Sequence, residues 1–483
     1  MAQSVAQCVP RHELPEIVRG VIQRAQGAFT ISAMIRDQRI AVIGSGIAGL
    51  GAALALSDPR NGPTRNHVTL YEAADRLGGH ANTVVIDDQH GPISVDTGFI
   101  VYNEHTYPNL IQLFDELGVA TEKSDMSFSF SDPGRLEYAG RASGLLRNRA
   151  IVASPRFRRM LVDLVRFRNQ GRTLLDESNG ETIGEVLAAN GYRDGFVHDY
   201  VVPMTAAVWS ANDAQILDYP ARSLLRFLDN HGLIRVTGAP QWRTVSGGSR
   251  EYVRRAHDRL TDCGATVLTS APVRSVTSRD NKAVVTSGNR SDTFDHVVLA
   301  THTDQSLRML GGEATAAEQR VLGAIRYEPN VAVLHRDPAL MPTQRRLWSS
   351  WNSLADRNGQ AGNTSLTYWM NRLQNIDGPD LFVTLNPKRE PRGDLCETFE
   401  YAHPQFDMAA ISAQQELASI QGQRRLWFAG AWCGYGFHED GLQSGLNVAT
   451  ALGSVAQWTE QVAPMSSAPA VPSAAAAGTA SAP

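Results

Sequence analysis

At 483 residues, with 42% hydrophobic and 19% charged side chains, the chain is long enough for two domains and a substantial core. A formal net charge of −4 argues against a polyanionic partner and so against nucleic-acid binding. The four cysteines (Cys8, Cys263, Cys396, Cys433) form no CxxC pair and meet no histidine cluster at metal spacing, which predicts a reducing, cytoplasmic setting, no disulfides and no metal site.

Residues 1–36 read as an N-terminal extension without a signal-peptide core, and Met34 is a natural start for a chain that opens on its first strand. That strand is Arg-Ile-Ala-Val-Ile, and it runs through Gly44-Ser45-Gly46-Ile-Ala48-Gly49 into an alanine- and leucine-rich helix. This is a dinucleotide fingerprint in its required strand-turn-helix context. Gly44 permits the tight turn, Gly46 lets a pyrophosphate approach the backbone over the helix N-terminus, and Gly49 lets helix and strand pack closely. The uncharged run Ile40–Leu56 is too short and too glycine-rich to span a membrane.

A second strand, His67-Val-Thr-Leu-Tyr, ends at Glu72, where a carboxylate accepts both ribose hydroxyls and repels a 2′-phosphate. The chain continues Ala73-Ala-Asp-Arg76-Leu-Gly78-Gly79-His80. A glycine pair six residues beyond the ribose acid suits a loop passing beneath a cofactor longer than a nicotinamide dinucleotide, with Arg76 near phosphate. The two signatures together specify a flavin.

Further along, Ser246-Gly-Gly leads into a helix ending about Asp262, followed by short β segments at Thr266–Leu268, Val273–Thr277 and Ala283–Thr286. Phe294 to Thr301 reads as a buried strand, Arg425 to Gly430 as another, and a last helix begins near Gly441. The predicted class is α/β, with a Rossmann-like FAD-binding domain built discontinuously from 37–105, 240–305 and 420–458. A discontinuous α+β substrate or cap domain takes 106–239 and 306–419. From Pro464 to Pro483 the chain is uncharged and almost only Ala, Ser, Pro and Gly, a composition that predicts a disordered tail over 459–483.

On these motifs the chain resembles the flavin-containing amine oxidase superfamily, which includes phytoene-desaturase-like enzymes, over roughly 38–455. The resemblance implies FAD held by Gly44, Ser45, Gly46, Ala48, Gly49, Glu72, Ala73, Arg76, Gly78, Gly79 and His80. It also implies Thr97 and Gly98 of Val-Asp-Thr-Gly-Phe near the isoalloxazine, and a backbone contact from Val273 to adenine. The closing motif would contribute Gly430, Gly441, Leu442 and Ser444. Two stretches, Asp96 to Leu110 and Trp432 to Gly441, are similar to bacterial predicted FAD-binding proteins related to the oxidase-like region of plant cyclopropane-fatty-acid synthases. That likeness implies an apolar, acyl-chain substrate.

Departures from the family pattern bear on chemistry. The family's lysine near flavin N5 is matched here by Asn330, and Arg392 to Cys396 does not resemble the SGGC loop that attaches FAD covalently. A non-covalent cofactor is therefore expected, and an amine substrate less so. His438 and Glu439 are candidates for an acid/base pair, His438 being equally readable as a loop-structuring residue. Tyr435 is a third catalytic candidate and, with Trp432, a candidate for an aromatic wall, Trp432 being also placed to be core. Trp209, Trp351, Tyr368 and Trp369 are candidates for an apolar tunnel.

Arg135 to Arg172 holds ten arginines, and Phe157, Met160, Leu161, Leu164 and Val165 recur at helical spacing within it. Two readings stand: a basic amphipathic helix on an anionic membrane at the inner face, or a cap helix packed on its core. The expected activity is hydride abstraction from an apolar acyl or lipid substrate by an FAD-dependent oxidoreductase. The alternatives are an amine oxidase, a redox-neutral double-bond isomerase, and a non-catalytic FAD-containing partner in a lipid pathway. The sequence leaves the oligomeric state open.

Overall fold

The computed structural model describes residues 37–459, apart from 90, 140–153, 179, 210–215, 231–233, 235–239 and 356–363. The N-terminal extension, the tail from 460 on, and Arg141, Arg147 and Arg149 of the basic stretch lie outside the described residues.

Ile40, Ala41 and Val42 are fully buried, as an apolar strand covered on both faces must be. Gln38–Ile43 forms the centre of a five-stranded sheet in the order Thr266–Leu268, Asn66–Tyr71, Gln38–Ile43, His296–Leu299, Leu426–Phe428. Every pairing in it is parallel, and its strands come from three distant segments of chain, 38–71, 266–299 and 426–428. Alternate side chains feed opposite layers. Ile40 and Val42 pack under the helices Ile47–Ser57, Arg250–Asp262 and His438–Ala451. Ala41 and Ile43 pack under the three-stranded sheet Val273–Phe294 and the helices Thr303–Leu310, Ala316–Gly323 and Met408–Glu416.

The second sheet has seven strands, in the order Cys396–Pro404, Tyr327–His335, Phe382–Leu385, Thr364–Trp369, Trp351–Ala355, Phe128–Asp132, Leu136–Ala139. All its pairs are antiparallel except Trp351–Ala355 with Phe128–Asp132. The helices Pro155–Glu177, Ile183–Ala189 and Ala221–Asn230 share an apolar cluster with Phe130, Leu136 and Tyr138 of this sheet.

Packing divides the segments differently from the predicted boundaries. Pro108–Leu117, expected in the cap, buries Leu110, Leu113 and Phe114 in the nucleotide-binding core. Residues 303–323 and 408–416 likewise belong to that domain's outer layer. The hairpin Thr83–Asp96, expected in the nucleotide-binding domain, sends Ile86 and Val95 into the cap core. Helical or strand periodicity marks an apolar face but not which of two cores receives it. The last helix also begins earlier than expected, at His438 rather than near Gly441.

The basic helix starts at Pro155, as its spacing predicts, and runs to Glu177. Phe157, Met160, Phe167 and Leu174 are buried against the cap core, whereas Val165, expected on that face, is 57% exposed. The face follows the 3.6-residue period over six turns and rotates away from Val165. Arg135 and Arg156 converge on buried Asp199 at 2.8 and 2.7 Å, so these two arginines are structural cations.

Candidate active site

The site grows from the first βα turn. Gly44 has φ +99°, and a Cβ there would lie 2.6 Å from the Ala300 carbonyl oxygen. A Cβ at Gly49 would overlap the Gly44 carbonyl oxygen itself, which fixes the helix against the strand. At Gly46, by contrast, a Cβ would meet nothing within 4 Å, so the bare backbone at the helix N-terminus opens outward. The Gly78 N–H donates to the Ser45 carbonyl (3.1 Å) and hydroxyl (3.2 Å), laying the glycine-pair loop directly on this turn.

Glu72 ends the second strand and accepts from the Ser45 N–H (2.9 Å) and hydroxyl (2.5 Å) through one oxygen. Its other oxygen accepts from the Ala74 N–H at 2.9 Å. It therefore stiffens the glycine turn while presenting a carboxylate at the crevice. Arg76 donates to the carbonyls of Gly79 (3.0 Å) and Ala81 (3.2 Å), bracing its own loop beside the cavity.

A cavity of about 1240 Å³ starts at this turn and continues beneath the cap sheet. That exceeds the roughly 300–1,000 Å³ usual for one small ligand, giving room for a dinucleotide and a second molecule. Among the residues expected to hold the cofactor, Gly44, Ser45, Gly46, Ala48, Glu72, Ala73, Arg76, Gly78, Gly79, His80, Thr97, Gly98, Val273 and Gly430 line it. Gly49, Gly441, Leu442 and Ser444 do not. Leu442 is fully buried against Gly51, a Cβ at Gly441 would press on Ile47, and the Ser444 hydroxyl accepts from the Gly430 N–H at 2.9 Å. Gly441 and Leu442 pack the last helix onto the first and Ser444 ties it to the Gly430 backbone, shaping the cradle from behind.

The candidate acid/base pair separates. Glu439 accepts from the Asn109 and Leu110 N–H groups at 2.9 and 3.0 Å, capping the Pro108–Leu117 helix away from the cavity. Burial pushes its carboxyl up to about 7. His438 does line the cavity, stacked on Phe99 with ring centroids 3.6 Å apart and with Nε2 3.1 Å from the Tyr252 hydroxyl. Burial holds it down to about 3, and the positive end of its own helix acts in the same sense. Such an imidazole is neutral, not imidazolium, at neutral pH, so the general-acid half of the expected role is withdrawn for His438, and both halves for Glu439.

Tyr435 and Trp432 line the cavity, Trp432 as a buried side chain whose indole donates to the Thr301 carbonyl at 3.2 Å. Of the tunnel candidates, Trp351 and Tyr368 line it and meet edge to face at 4.9 Å. Trp369 instead donates to Asp380 at 3.1 Å and packs on Trp348 outside the cavity. The Trp209 side chain lies outside the described residues.

Between the nucleotide and cap ends lies a polar junction the sequence reading missed. The rings of His302, Tyr401 and His403 surround His80 at 5.9, 5.2 and 5.5 Å. Asn330 is buried there and donates to Glu328 O at 3.1 Å, with His403 Nδ1 at 3.1 Å. The Tyr401 hydroxyl sits 2.7 Å from the Thr97 hydroxyl and accepts from Asn82 at 3.0 Å. His302 carried a usable signal, since it follows the C-terminal end of a parallel strand, where such sheets bind ligands. His403 and Tyr401 carried none, because only the pairing of Asn330 with Tyr401 across the cap sheet brings them in.

A parallel sheet with a glycine cradle at its carboxyl ends, capped by a mostly antiparallel sheet over a shared cavity, defines a two-domain dinucleotide-binding protein. The bare backbone at Gly46, the carboxylate of Glu72 and the loop carrying Gly78 and Gly79 fit such a cofactor. Comparison with known proteins matches residues 47–336 to the family described as flavin containing amine oxidoreductase. The chain belongs to that family and is an FAD-dependent oxidoreductase. It is 25% identical over 250 residues to the 15-cis-phytoene desaturase of Narcissus pseudonarcissus, covering 48% of this chain and 42% of that enzyme. Its fold is shared with cyclohexylamine oxidase from Brevibacterium oxydans IH-35A (TM-score 0.63, 17% identity, 86% of this chain and 99% of that one). It is shared equally with a CLA-producing fatty acid isomerase from P. acnes (TM-score 0.63, 16% identity, 87% and 99%). No helix among the described residues is long and apolar enough to cross a membrane.

Proposed function

We propose that this oxidoreductase holds its FAD without a covalent bond and removes a hydride from an apolar, acyl-chain substrate. The observation that carries the reading is the cap end of the cavity, walled by Met126, Phe128, Met204, Phe227, Trp351, Tyr368, Leu385 and Phe406. The charged side chains of the lining are Glu72, Arg76, Arg274 and Arg308, all from the nucleotide-binding domain, and the exposed Glu400 of the cap. An alkyl chain gains about 0.8 kcal/mol per methylene buried against such a wall, whereas an ammonium group would be desolvated there without a counter-charge. Asn330 in the place of the family's lysine weighs further against an amine. Non-covalent FAD accords with the cysteines, since neither Cys263, Cys396 nor Cys433 lines the cavity.

Bound flavin supplies a two-electron acceptor. A desaturation would pass one hydride to that acceptor and one proton from the adjacent carbon to solvent, leaving a carbon–carbon double bond. Mass spectrometry of fatty acids and phospholipids incubated with the holoenzyme tests the proposal. A product two hydrogens lighter supports it. An isobaric product with a moved double bond supports the redox-neutral isomerase instead, the activity named for the structural neighbour from P. acnes. Oxidation of amines alone overturns it.

A peripheral membrane contact at the cytoplasmic face goes with the lipid reading. On the outer side of the Pro155–Glu177 helix Val162 and Val165 are 61% and 57% exposed, at helical spacing from exposed Arg158, Arg159 and Arg172.

A further inference from the structure

The junction between the two ends of the cavity contains a hydrogen-bond chain whose direction is fixed at both ends by backbone. The Val331 N–H can only donate, and it meets the Asn386 side chain at 2.9 Å, so that atom of Asn386 is its carbonyl oxygen. The Asn386 amide nitrogen therefore faces Asn330, donating to its oxygen at 2.7 Å. The Asn330 nitrogen then points to the Glu328 carbonyl at 3.1 Å, an obligatory acceptor that fixes the same orientation from the other side. That nitrogen also stands 3.1 Å from His403 Nδ1.

An amide N–H reaching Nδ1 demands a lone pair there, which sends the imidazole proton to Nε2. Asn386 holds its place in this chain with φ +47°, a conformation asparagine tolerates better than most residues, and its own N–H donates to the Val331 carbonyl at 2.8 Å. His403 lines the cavity, and among the described residues its ring hydrogen-bonds a protein partner only through Nδ1. Beside it the Tyr401 hydroxyl accepts from Asn82 and lies against the Thr97 hydroxyl, His302 is stacked on Tyr327 at 4.2 Å, and His80 Nε2 is buried without a hydrogen-bond partner among the described residues. Burial, with His302 nearby, holds His403 down to about 4, so it is neutral at physiological pH.

We infer that Asn330 is a positioning residue that locks His403 as its Nε2–H tautomer, and that this N–H is a fixed, uncharged donor to an oxygen acceptor of the molecule in the cavity. The inference deepens the acyl reading above and rests on it for the choice of ligand. A carbonyl oxygen satisfies the donor without requiring a counter-charge, and a carboxylate oxygen can accept from it too. An ammonium group finds a second donor facing it. Where the family's lysine would bring a charge, this chain places a selector for oxygen over nitrogen. A flavin carbonyl could supply the same oxygen acceptor, and the experiment separates the two sources.

Nitrogen-15 NMR of the holoenzyme labelled at histidine, with the His403→Gln protein assigning the resonance, reads the tautomer directly. An unprotonated Nδ1 and a protonated Nε2 from pH 5.5 to 8 are expected; a protonated Nδ1, or a mixture of tautomers, overturns the lock. Asn330→Asp replaces the donor by an acceptor and should move the proton to Nδ1, while Asn330→Leu should leave both tautomers populated. Binding of oleate and of oleylamine to the same proteins reads the consequence. Wild type should prefer oleate by about tenfold or more, as the loss of one directed hydrogen bond implies, and Asn330→Asp should abolish or reverse that preference.

A flavin absorption spectrum altered in resting Asn330→Asp, with oleate preference intact, assigns the donor to the flavin carbonyl. An unaltered spectrum with the preference lost assigns it to the substrate. Neither effect, with the tautomer moved, overturns the donor role. If the tautomer is locked but neither probe binds wild type, the acyl reading fails and the lock stands.

Discussion

The two ends of this cavity are built on different principles. The nucleotide end is shaped by what is missing: Cβ atoms at Gly44 and Gly49 would meet backbone, and the glycine-pair loop rests on the Ser45 turn. The reactive end is shaped by side chains from distant segments, with Asn82 meeting Tyr401 and Asn330 meeting His403. Backbone sterics impose one answer over a few consecutive residues, whereas a side-chain junction depends on tertiary register and is free to vary in chemistry. The first can be shared across a family while the second sets each member's substrate.

Breaking the nucleotide end should have the largest effect. Gly49→Val puts side-chain atoms into the Gly44 carbonyl and should destabilise the fold by more than about 3 kcal/mol, visible as loss of soluble protein. Gly46→Ala meets no protein atom within 4 Å, so it should leave the thermal midpoint of flavin-free protein unchanged while lowering FAD affinity. If both variants fold normally, the cradle is not set by backbone contact.

Acid should act mainly through buried imidazoles. Burial holds His296, His335 and His403 at about 4 and His438 at about 3. The unfolded chain binds those protons below its ordinary histidine pKa while the folded chain does not, so stability is lost as pH falls from about 6.5 toward 4. Asp96 and Asp440, raised by burial to about 6, and Glu439, raised to about 7, act oppositely: their contribution is lost as pH rises through those values. With the histidines in the majority, the thermal midpoint should drop by several degrees between pH 7 and pH 5. A midpoint that rises over that interval would show that the carboxylates dominate.

Glu72→Ala should weaken FAD binding by about 1.5–3 kcal/mol, the value of hydrogen bonds to a charged acceptor, as read by fluorescence titration of flavin-free protein. Unchanged affinity would leave Glu72 only its structural bonds to Ser45. The smallest effect concerns the outer face of the basic helix. Arg158→Gln with Arg159→Gln should weaken binding to anionic vesicles at low salt by about 1 kcal/mol per charge, without altering the fold. Arg156 is left intact because its ion pair with Asp199 belongs to the cap core. Equal vesicle binding would assign the helix to packing alone.

How much was legible in the sequence follows the same division. Gly44, Gly46, Gly49, Glu72, Gly78 and Gly79 lie within 36 residues, and all but Gly46, whose bare backbone opens outward, have a local steric or hydrogen-bonding reason, so the cradle could be read directly. The closing motif was legible as a motif but not in its task, because Leu442 acts through helix packing and Ser444 through the Gly430 backbone rather than at the cavity wall. Glu439 looked like chemistry and proved to cap a helix 330 residues earlier in the chain, at Asn109. His403 escaped notice because nothing within ten residues marks it. Its meaning comes from a strand more than 60 residues earlier in sequence that pairs beside it.

The substrate claim is tested most directly by mixing the oxidised holoenzyme anaerobically with oleoyl phospholipid, oleate, oleylamine and putrescine while following flavin absorbance. Bleaching by an acyl compound and by neither amine is the expected result. Bleaching by an amine and by no acyl compound would contradict the account.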